Sequence, residues 1–318
     1  MTLQRRSFLA APALLVAPAM AQGRNTRIIV AFPPGGTADI LARALAEAMT
    51  PAMDGPLVVE NRPGAGTAIA TEAAIRAVPD GRTLLVGGTS QVINQALKAG
   101  ALPFDFARDL APIGQFAAMP ALIVAGPGLR AQNVPELIAL ARRQPGTLAF
   151  GSSGTGTSSH LAGLLFAQLA GLELLHVPHR GAAAAFTDLL GERLQLMFPN
   201  VPEVLAHLQS GRLRALAVAA PRRSSVLPDT PTAAEVGLPG FDVPVWLGLM
   251  APAGTPDKEI QRVAAAMEIA MAESGLRRRW ATLGAETGEA GPAALARLIA
   301  TDIPRWAALV AASGAAID

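Results

Sequence analysis

The 318-residue sequence contains no cysteine and no tyrosine, and it has only four histidines. Without cysteine, the chain forms no disulfide and offers no thiolate for binding a metal or attacking a substrate. Its 26 basic and 24 acidic side chains nearly balance, so it lacks the basic excess that nucleic-acid binding requires. Stability must therefore come from a hydrophobic core, which a chain of this length can form. We expect no nucleic-acid partner.

The first 21 residues have the composition of an export signal. The basic pair Arg5-Arg6 precedes an apolar run, and Ala-Met-Ala at 19–21 provides the small residues of a cleavage site after Ala21. The segment 4–9 also resembles a twin-arginine signal, and the general secretory route stays open. No later apolar run approaches the roughly 18 residues of a membrane span. We therefore expect a periplasmic protein without direct membrane insertion.

Short β-rich runs alternate with helical patterns over most of the chain, which predicts an α/β fold with largely parallel sheets. The predicted strands are 27–32, 57–60, 83–86, 122–125, 147–150, 174–177, 194–198, 213–219 and 243–250. The last 65 residues have helical patterns and no predicted strand. We expect these helices to fold back onto a first lobe of residues 22–117 and 243–318, with residues 118–242 forming a second lobe.

The first predicted strand ends in the loop Pro33-Pro34-Gly35-Gly36, and a helical pattern begins at once. A helix that starts after a Gly-rich loop points unpaired backbone N–H groups outward, so it attracts anions. Thr37 is a natural N-cap. Asp39 is expected to organise the loop, because its charge would oppose a bound anion. The alternative is a tight turn that needs glycine for its backbone angles alone.

The same arrangement of strand, Gly-rich loop and helix recurs at residues 147–160. Residues 151–160 contain three Gly, four Ser and two Thr and end at His160. Backbone donors beside many hydroxyls suit a small oxygen-rich ligand, and a flexible polar turn is the alternative. His160 falls in the first helical turn, where the macrodipole favours the neutral imidazole. A structural role and a ligand contact both remain open for it.

No catalytic or metal-binding motif fits the sequence. Ser153 and Ser158 each lack the second glycine of a nucleophile elbow, and Gly156 is not followed by the lysine of a P-loop. Neither Gly-x-Gly run has the third small residue of a dinucleotide fingerprint. His176 and His179 have no neighbouring carboxylate cluster to complete a metal site. We expect no enzyme activity, no cofactor and no metal.

Four further candidates follow predicted strands. Ser90 and Gln91 follow one strand, and His179 and Arg180 follow another. In a parallel α/β sheet, the carboxyl ends of the strands line the ligand crevice. These side chains are therefore expected to reach a bound molecule. For Arg180, a solvated or lobe-stabilising charge is the alternative.

Ordered sequence blocks through the whole mature chain indicate a known family. The main blocks are 32–36 with Asp39, 60–66, 79–85, 151–163, 176–178, 188–191 and 251–256. With them the chain resembles the extracytoplasmic solute receptors of tripartite tricarboxylate transporters, often called Bug proteins. The resemblance implies a type II periplasmic-binding fold, with two α/β lobes joined by crossing strands and a ligand cleft between them.

The resemblance also implies a function. Such receptors grip the carboxylate of a small organic anion between the two Gly-rich loops, often through waters, and deliver it to the transporter's membrane subunits. We expect a monomer. The predicted ligand-binding residues are Pro34, Gly35, Gly36, Thr37, Ala38, Asp39, Ser90, Gln91, Ser153, Gly154, Thr155, Gly156, Thr157, Ser158, His160, His179, Arg180 and Pro199. A sensor that presents the same ligand class to a signalling protein is the alternative.

Three departures from the family pattern affect the far end of the pocket. His179-Arg180 stands where Tyr-Lys is common, and Thr67 replaces the last glycine of a Gly-Ala-Gly-Gly block. Pro199 stands where family chains commonly have an aspartate. If that aspartate serves an amino group, its loss predicts an acid without one.

Overall fold

The computed structural model describes residues 25–98 and 100–313, with the side chains of 312 and 313 left aside. The predicted signal peptide, residues 1–21, lies outside the described residues. The strands are β1 (Thr26–Val30), β2 (Leu57–Asn61), β3 (Thr83–Gly88), β4 (Leu110–Ala125), β5 (Ala149–Ser152), β6 (Leu175–Pro178), β7 (Leu196–Met197), β8 (Arg214–Ala219), β9 (Pro244–Pro252) and β10 (Glu286–Thr287).

Ten α-helices accompany these strands in the described part of the chain. They are α1 (Thr37–Met49), α2 (Ala68–Ile75), α3 (Thr89–Leu97), α4 (Val134–Arg143), α5 (Ser158–Ala170), α6 (Ala182–Leu190), α7 (Val201–Gln209), α8 (Asp257–Ala272), α9 (Ser274–Thr282) and α10 (Pro292–Ser313). The alternation of strands and helices predicted from the sequence is confirmed.

The first half of the sheet has the strand order β2-β1-β3-β9 and continues into β4. Strands β2, β1 and β3 are parallel, and β9 runs antiparallel between β3 and β4. Strand β1 lies between two parallel neighbours, and Ile28, Ile29 and Val30 are at most 1% exposed. Burial on both faces explains why this strand is a continuous apolar run in the sequence.

Strand β4 is the element that joins the two halves of the sheet. Residues 110–120 pair with β9 in the first half, and residues 121–125 pair with β8 or β7 in the second half. The sequence predicted only the segment 122–125. Pro112, Gly114 and Pro120 interrupt the earlier apolar pattern, and register shifts occur beside Pro112 and Gly114. Because proline and a bulge interrupt the alternation of apolar and polar residues, the sequence does not reveal the full strand.

The second half of the sheet has parallel strands β7, β5 and β6, with β8 on the other side of β4. It therefore repeats the parallel strand–helix arrangement of the first half. The predicted lobe boundaries, 22–117 with 243–318 and 118–242, remain a prediction. They lie close to the point where β4 changes partners.

The C-terminal helices pack back onto the first half of the sheet. Trp280 of α9 is buried against Phe116 of β4, with ring centroids 6.0 Å apart. Trp246 Nε1 on β9 donates to Asp302 Oδ2 on α10 at 2.5 Å. The expectation that this region has no strand is wrong, because β10 pairs with β4. A strand of two residues is too short to leave a periodic pattern.

Candidate functional site

The loop between β1 and α1 is held in shape by the carboxylate of Asp39. Gly35 has a φ of +84°, which glycine adopts without strain, and its N–H donates to Asp39 Oδ2 at 2.9 Å. Arg43 Nε and Asn61 Nδ2 donate to Oδ1 at 2.9 and 2.8 Å. Burial raises the pKa of the Asp39 carboxyl, but these hydrogen bonds outweigh it and hold the pKa below its usual value. Asp39 therefore remains ionised and organises the loop.

The loop between β5 and α5 is stabilised by its own hydroxyl groups. Thr157 Oγ1 donates to the carbonyl of Gly154 at 2.6 Å. The Ser159 hydroxyl accepts the N–H of Ser153 at 3.0 Å. The sequence suggested these hydroxyls as ligand contacts, but those of Thr157 and Ser159 bind within the loop itself.

His160 lies buried behind this second loop. Its Nδ1 accepts the N–H of Gly156 at 3.2 Å, and its ring stacks on that of His176. Burial lowers the pKa of His160 to about 4. The pKa of His176 falls to about 3, mainly through burial and also through repulsion from His160 and His179. Both rings are therefore neutral near pH 7, which leaves Nδ1 of His160 free to accept.

The two Gly-rich loops open onto one small chamber between the halves of the sheet. Its lining residues come from the starts of four helices and from β9, and include Thr37, Ala38, Ser90, Gln91, Ser153, Thr157, Ser158, Asn200, Glu203 and Trp246. Hydrogen bonds cross this chamber from one half to the other. The N–H of Ser158 donates to Ser90 Oγ at 3.2 Å, and the N–H of Thr37 donates to Glu203 Oε1 at 3.4 Å. Helices α1 and α5 therefore begin at the same enclosed space.

Asn200 Oδ1, a buried polar atom of this chamber, has no hydrogen-bond partner among the described residues. An unpaired buried polar atom costs about 1–3 kcal/mol, and native proteins leave few of them. The N–H groups of Ala38 and Ser159 also lack an acceptor within the described part of the chain. The chamber can therefore hydrogen-bond a small polar molecule.

An outer cavity of about 320 Å³ adjoins the chamber, and Phe32, Ser153 and Glu203 line both spaces. Its walls are mostly apolar and include Pro33, Pro34, Ala182, Ala183, Phe186 and Leu190. The exposed side chain of Arg180 lines this cavity and also a neighbouring one of about 520 Å³. If a molecule placed a polar end in the chamber, the rest of it would contact the apolar wall of the outer cavity and then Arg180.

His179 belongs to a hydrogen-bonded network at the wall of the larger cavity. Its Nδ1 faces the carbonyl of Val177 at 3.0 Å, and its Nε2 faces Asp188 Oδ2 at 2.9 Å. Arg193 also donates to Asp188 at 2.8 Å, and hydrogen bonds from His179 and Arg193 lower the pKa of Asp188. Both ring nitrogens are therefore engaged by the protein.

Most of the residues predicted from the sequence line these three spaces. They are Pro34, Gly35, Gly36, Thr37, Ala38, Ser90, Gln91, Ser153, Gly154, Thr157, Ser158, His179 and Arg180. Five predicted residues lie outside the linings, namely Asp39, Thr155, Gly156, His160 and Pro199. Pro199 is buried, and its carbonyl accepts the N–H of Leu122 at 2.9 Å. Its place beside the pocket is taken by the first turn of α7.

The residues that sequence reasoning missed lie mainly on α6 and α7. Asn200, Glu203 and His207 line the chamber or the outer cavity, as does Phe186. The rule that ligand-binding residues follow the carboxyl ends of strands applies here too, because α7 follows β7 along the chain. Strand β7 has two residues and no Gly-rich loop follows it, so the signal is weak.

The site has no obvious metal-binding cluster. Among the described residues, no group of three or more His, Asp or Glu side chains could hold a metal ion. None of the described helices has the length and apolar run that a membrane crossing demands.

Comparison with known proteins identifies the family. The sequence model for the tripartite tricarboxylate transporter family receptor matches residues 41–315. The chain belongs to this family. BugT of Bordetella pertussis is 36% identical over 293 residues, which cover 92% of this chain and 90% of BugT.

Solved structures of similar receptors have the same fold. The periplasmic binding protein BugD is 32% identical, with a TM-score of 0.87 over 91% of this chain and 97% of BugD. Rpa4515 of R. palustris, solved with adipate, is 30% identical, with a TM-score of 0.88 over 92% and 98% of the two chains. MatC from Rhodopseudomonas palustris, with bound malate, is 31% identical, with a TM-score of 0.85 over 90% and 99%. The periplasmic-binding fold predicted for this receptor is confirmed.

Proposed function

We propose that this receptor captures a small organic carboxylate between its two Gly-rich loops and delivers it to the membrane subunits of a tripartite tricarboxylate-type transporter. One observation carries the proposal. Helices α1 and α5 begin at a common enclosed chamber, where the N–H groups of Ala38 and Ser159 have no acceptor among the described residues. Backbone donors from both halves of the sheet thus converge on one small space.

The two helix N-termini favour a negatively charged guest in this chamber. A buried carboxylate loses hydration worth several kcal/mol, so it needs several donors in return. Each helix N-terminus acts as about half a positive charge, and the free N–H groups of Ala38 and Ser159 belong to two such termini. Bridging waters can complete the hydrogen bonds at little cost. A carboxylate is therefore held without a buried cation.

The outer cavity would hold the part of the ligand beyond its first carboxylate. Its apolar wall suits a short carbon chain, and Arg180 can pair with a second acidic group. Adipate and malate, bound by Rpa4515 and MatC, are both of this kind. We take such dicarboxylates as the first candidates for this receptor.

The cellular setting rests on the family and on the sequence. Family members are periplasmic binding proteins, and the predicted signal peptide would export the chain with cleavage after Ala21. N-terminal sequencing of the exported protein tests the cleavage site. Light scattering tests whether the mature receptor is a monomer.

A thermal-shift screen with C3–C8 mono- and dicarboxylates tests the binding function. A ligand present at 100 times its dissociation constant adds about 2.7 kcal/mol to the free energy of unfolding. Calorimetry on the mature receptor then gives the affinity of each hit. Amines and sugars of similar size serve as controls. Stabilisation by these neutral or cationic compounds, with no response to any carboxylate, would reject the proposal.

A further inference from the structure

A carboxylate of the protein already occupies the N-terminus of α1. Glu203, in the first turn of α7, accepts the N–H of Thr37 through Oε1 at 3.4 Å. The two residues belong to opposite halves of the sheet and are 166 positions apart in sequence. Glu203 also lines both the inner chamber and the outer cavity. It therefore lies where a ligand would pass from one space to the other.

The surroundings of Glu203 disfavour its charged form. Burial raises the pKa of its carboxyl, and hydrogen bonds from Thr37 and from the backbone of Asn200 offset only part of this effect. No cation pairs with it among the described residues. A second carboxylate on the same helix terminus would lie within a few ångströms of it. Two such groups share one proton more readily than they bear two charges.

We propose that Glu203 competes with the ligand for the N-terminus of α1, so that binding of a carboxylate is coupled to the uptake of one proton by this pair. The inference rests on the proposed function, because it requires an acidic ligand in the chamber. It makes Glu203 a specificity-determining residue. Affinity falls as the pH rises above the pKa of Glu203 in the free receptor, since the proton must then be taken from solution.

Other titratable groups near Glu203 do not account for this proton uptake. His207, one turn further along α7, lines the outer cavity, and its pKa is lowered by burial and by Arg212. Arg180 remains charged at the mouth of the cavity. From α1, Asp39 is paired with Arg43, and its pKa is lowered.

The remaining elements near α7 add one acidic group. Asp188 of α6 is engaged by His179 and Arg193. Strand β4, which packs against α7, has no titratable side chain between Leu110 and Ala125. Glu203 is thus the group whose protonation should change when an acidic ligand binds in the chamber.

Calorimetry on the mature receptor and its E203Q variant tests the coupling. Adipate and malate are the probes, between pH 6 and 8, where simple carboxylic acids are ionised. We expect the wild-type Kd to rise with pH and E203Q to show little change. At pH 7.5, E203Q should bind at least tenfold more tightly. Binding enthalpies in buffers of different ionisation heat should reveal uptake of one proton by the wild type and none by E203Q.

Two control variants separate charge from shape. E203D keeps the carboxylate on a shorter side chain, so its affinity should still fall as the pH rises. His207→Gln removes the other titratable group of α7 in the cavity and should also leave the pH dependence intact. If E203Q does not fold, a carbon-13 titration of the Glu203 carboxyl in the wild type replaces it. Its pKa should rise when adipate or malate binds.

Each outcome has a distinct meaning. Equal or weaker binding by E203Q across the pH range would overturn the inference. Glu203 would then either have no effect on ligand binding or accept a hydrogen bond from the ligand. An unchanged Glu203 pKa on binding would overturn it too. Failure of every carboxylate to bind either the wild type or E203Q would reject the proposed function itself.

Discussion

The imidazole rings of His160 and His176 stack with their centroids 4.0 Å apart. Each ring also forms a hydrogen bond at the second Gly-rich loop. His160 accepts the N–H of Gly156, and His176 is hydrogen-bonded to the hydroxyl of Ser152. A proton on Nδ1 of His160 would remove its bond to Gly156. Protonation of both rings would add repulsion between them. The loop is therefore built on two neutral histidines.

This arrangement predicts a loss of stability in mild acid. The pKa of His160 falls from 6.5 in an unfolded chain to about 4 because burial disfavours the charged ring, so full protonation in acid lowers the free energy of unfolding by about 3 kcal/mol. This loss is absent above pH 6.5 and grows as the pH falls toward 4. Urea unfolding at pH 7.5 and pH 5.0 should give a clearly lower free energy of unfolding at pH 5.0.

Substitution of either histidine provides the control. The variants His160→Gln and His176→Gln should be less stable than the wild type at pH 7.5 but should lose less stability on acidification. A wild-type free energy of unfolding that is equal at the two pH values would contradict the assignment of neutral rings.

Local sequence patterns predicted the strands and helices that carry the two loops. An apolar run, a Gly-rich loop and an amphipathic stripe specify β1 and α1 within a few neighbouring residues. The same holds for α5, which begins at Ser158 within the predicted strand–loop–helix segment 147–160. These features depend on neighbouring residues, which explains why the sequence reveals them.

Contacts between distant residues could not be predicted in this way. The Glu203–Thr37 hydrogen bond depends on how the two halves of the sheet meet, and no periodic pattern encodes that. Likewise, the sequence did not indicate that the hydroxyl of Thr157 donates to the carbonyl of Gly154 within the loop. The aspartate missing at Pro199 predicted an acid without an amino group as the ligand. Glu203, four residues later, still supplies a carboxylate to the chamber.

Gly36 offers a direct test of the first loop. Its φ of −77° suits any residue, and an added Cβ would have only an ordinary contact, 3.6 Å from Pro33 O. Gly36→Val should therefore fold normally while its side chain obstructs the N-terminus of α1, and adipate or malate should bind at least tenfold more weakly. Calorimetry gives the affinity, and a thermal melt verifies folding.

Gly275 on α9 is the matched control, because an added Cβ there meets no atom within 4 Å. Gly275→Val should bind normally. Gly156 is unsuitable for this test, since its φ is +79° and a Cβ would lie 2.8 Å from Asn94 Nδ2. Equal affinities for Gly36→Val and Gly275→Val would argue against a ligand at α1.

Arg180 should distinguish dicarboxylates from monocarboxylates. Its side chain is exposed at the cavity, so an ion pair with a second ligand carboxylate is worth at most about 1 kcal/mol. Arg180→Gln should weaken adipate binding about two- to fivefold and leave hexanoate binding unchanged, and added salt should reduce the difference. Arg278→Gln, at an exposed position of α9, is the control. An equal loss for both acids would assign Arg180 a structural role.

Asp39 links the stability of the first loop to its ability to bind. Asp39→Ala removes the acceptor of the Gly35 N–H and of Arg43, and it should lower the free energy of unfolding by about 2–4 kcal/mol. It should also weaken carboxylate binding, although Asp39 itself lines none of the three spaces.

Arg43→Gln is the partner control for Asp39→Ala. It removes the ion pair with Asp39 and a hydrogen bond to Asn61, both made by a half-exposed arginine, and should cost about 1 kcal/mol. Affinity should change little, because the Gly35 bond to Asp39 remains. Urea unfolding and calorimetry on both variants measure the two effects separately. If Asp39→Ala bound adipate or malate more tightly than the wild type, the charge of Asp39 would be acting on the ligand directly, and its assignment to loop geometry would be wrong.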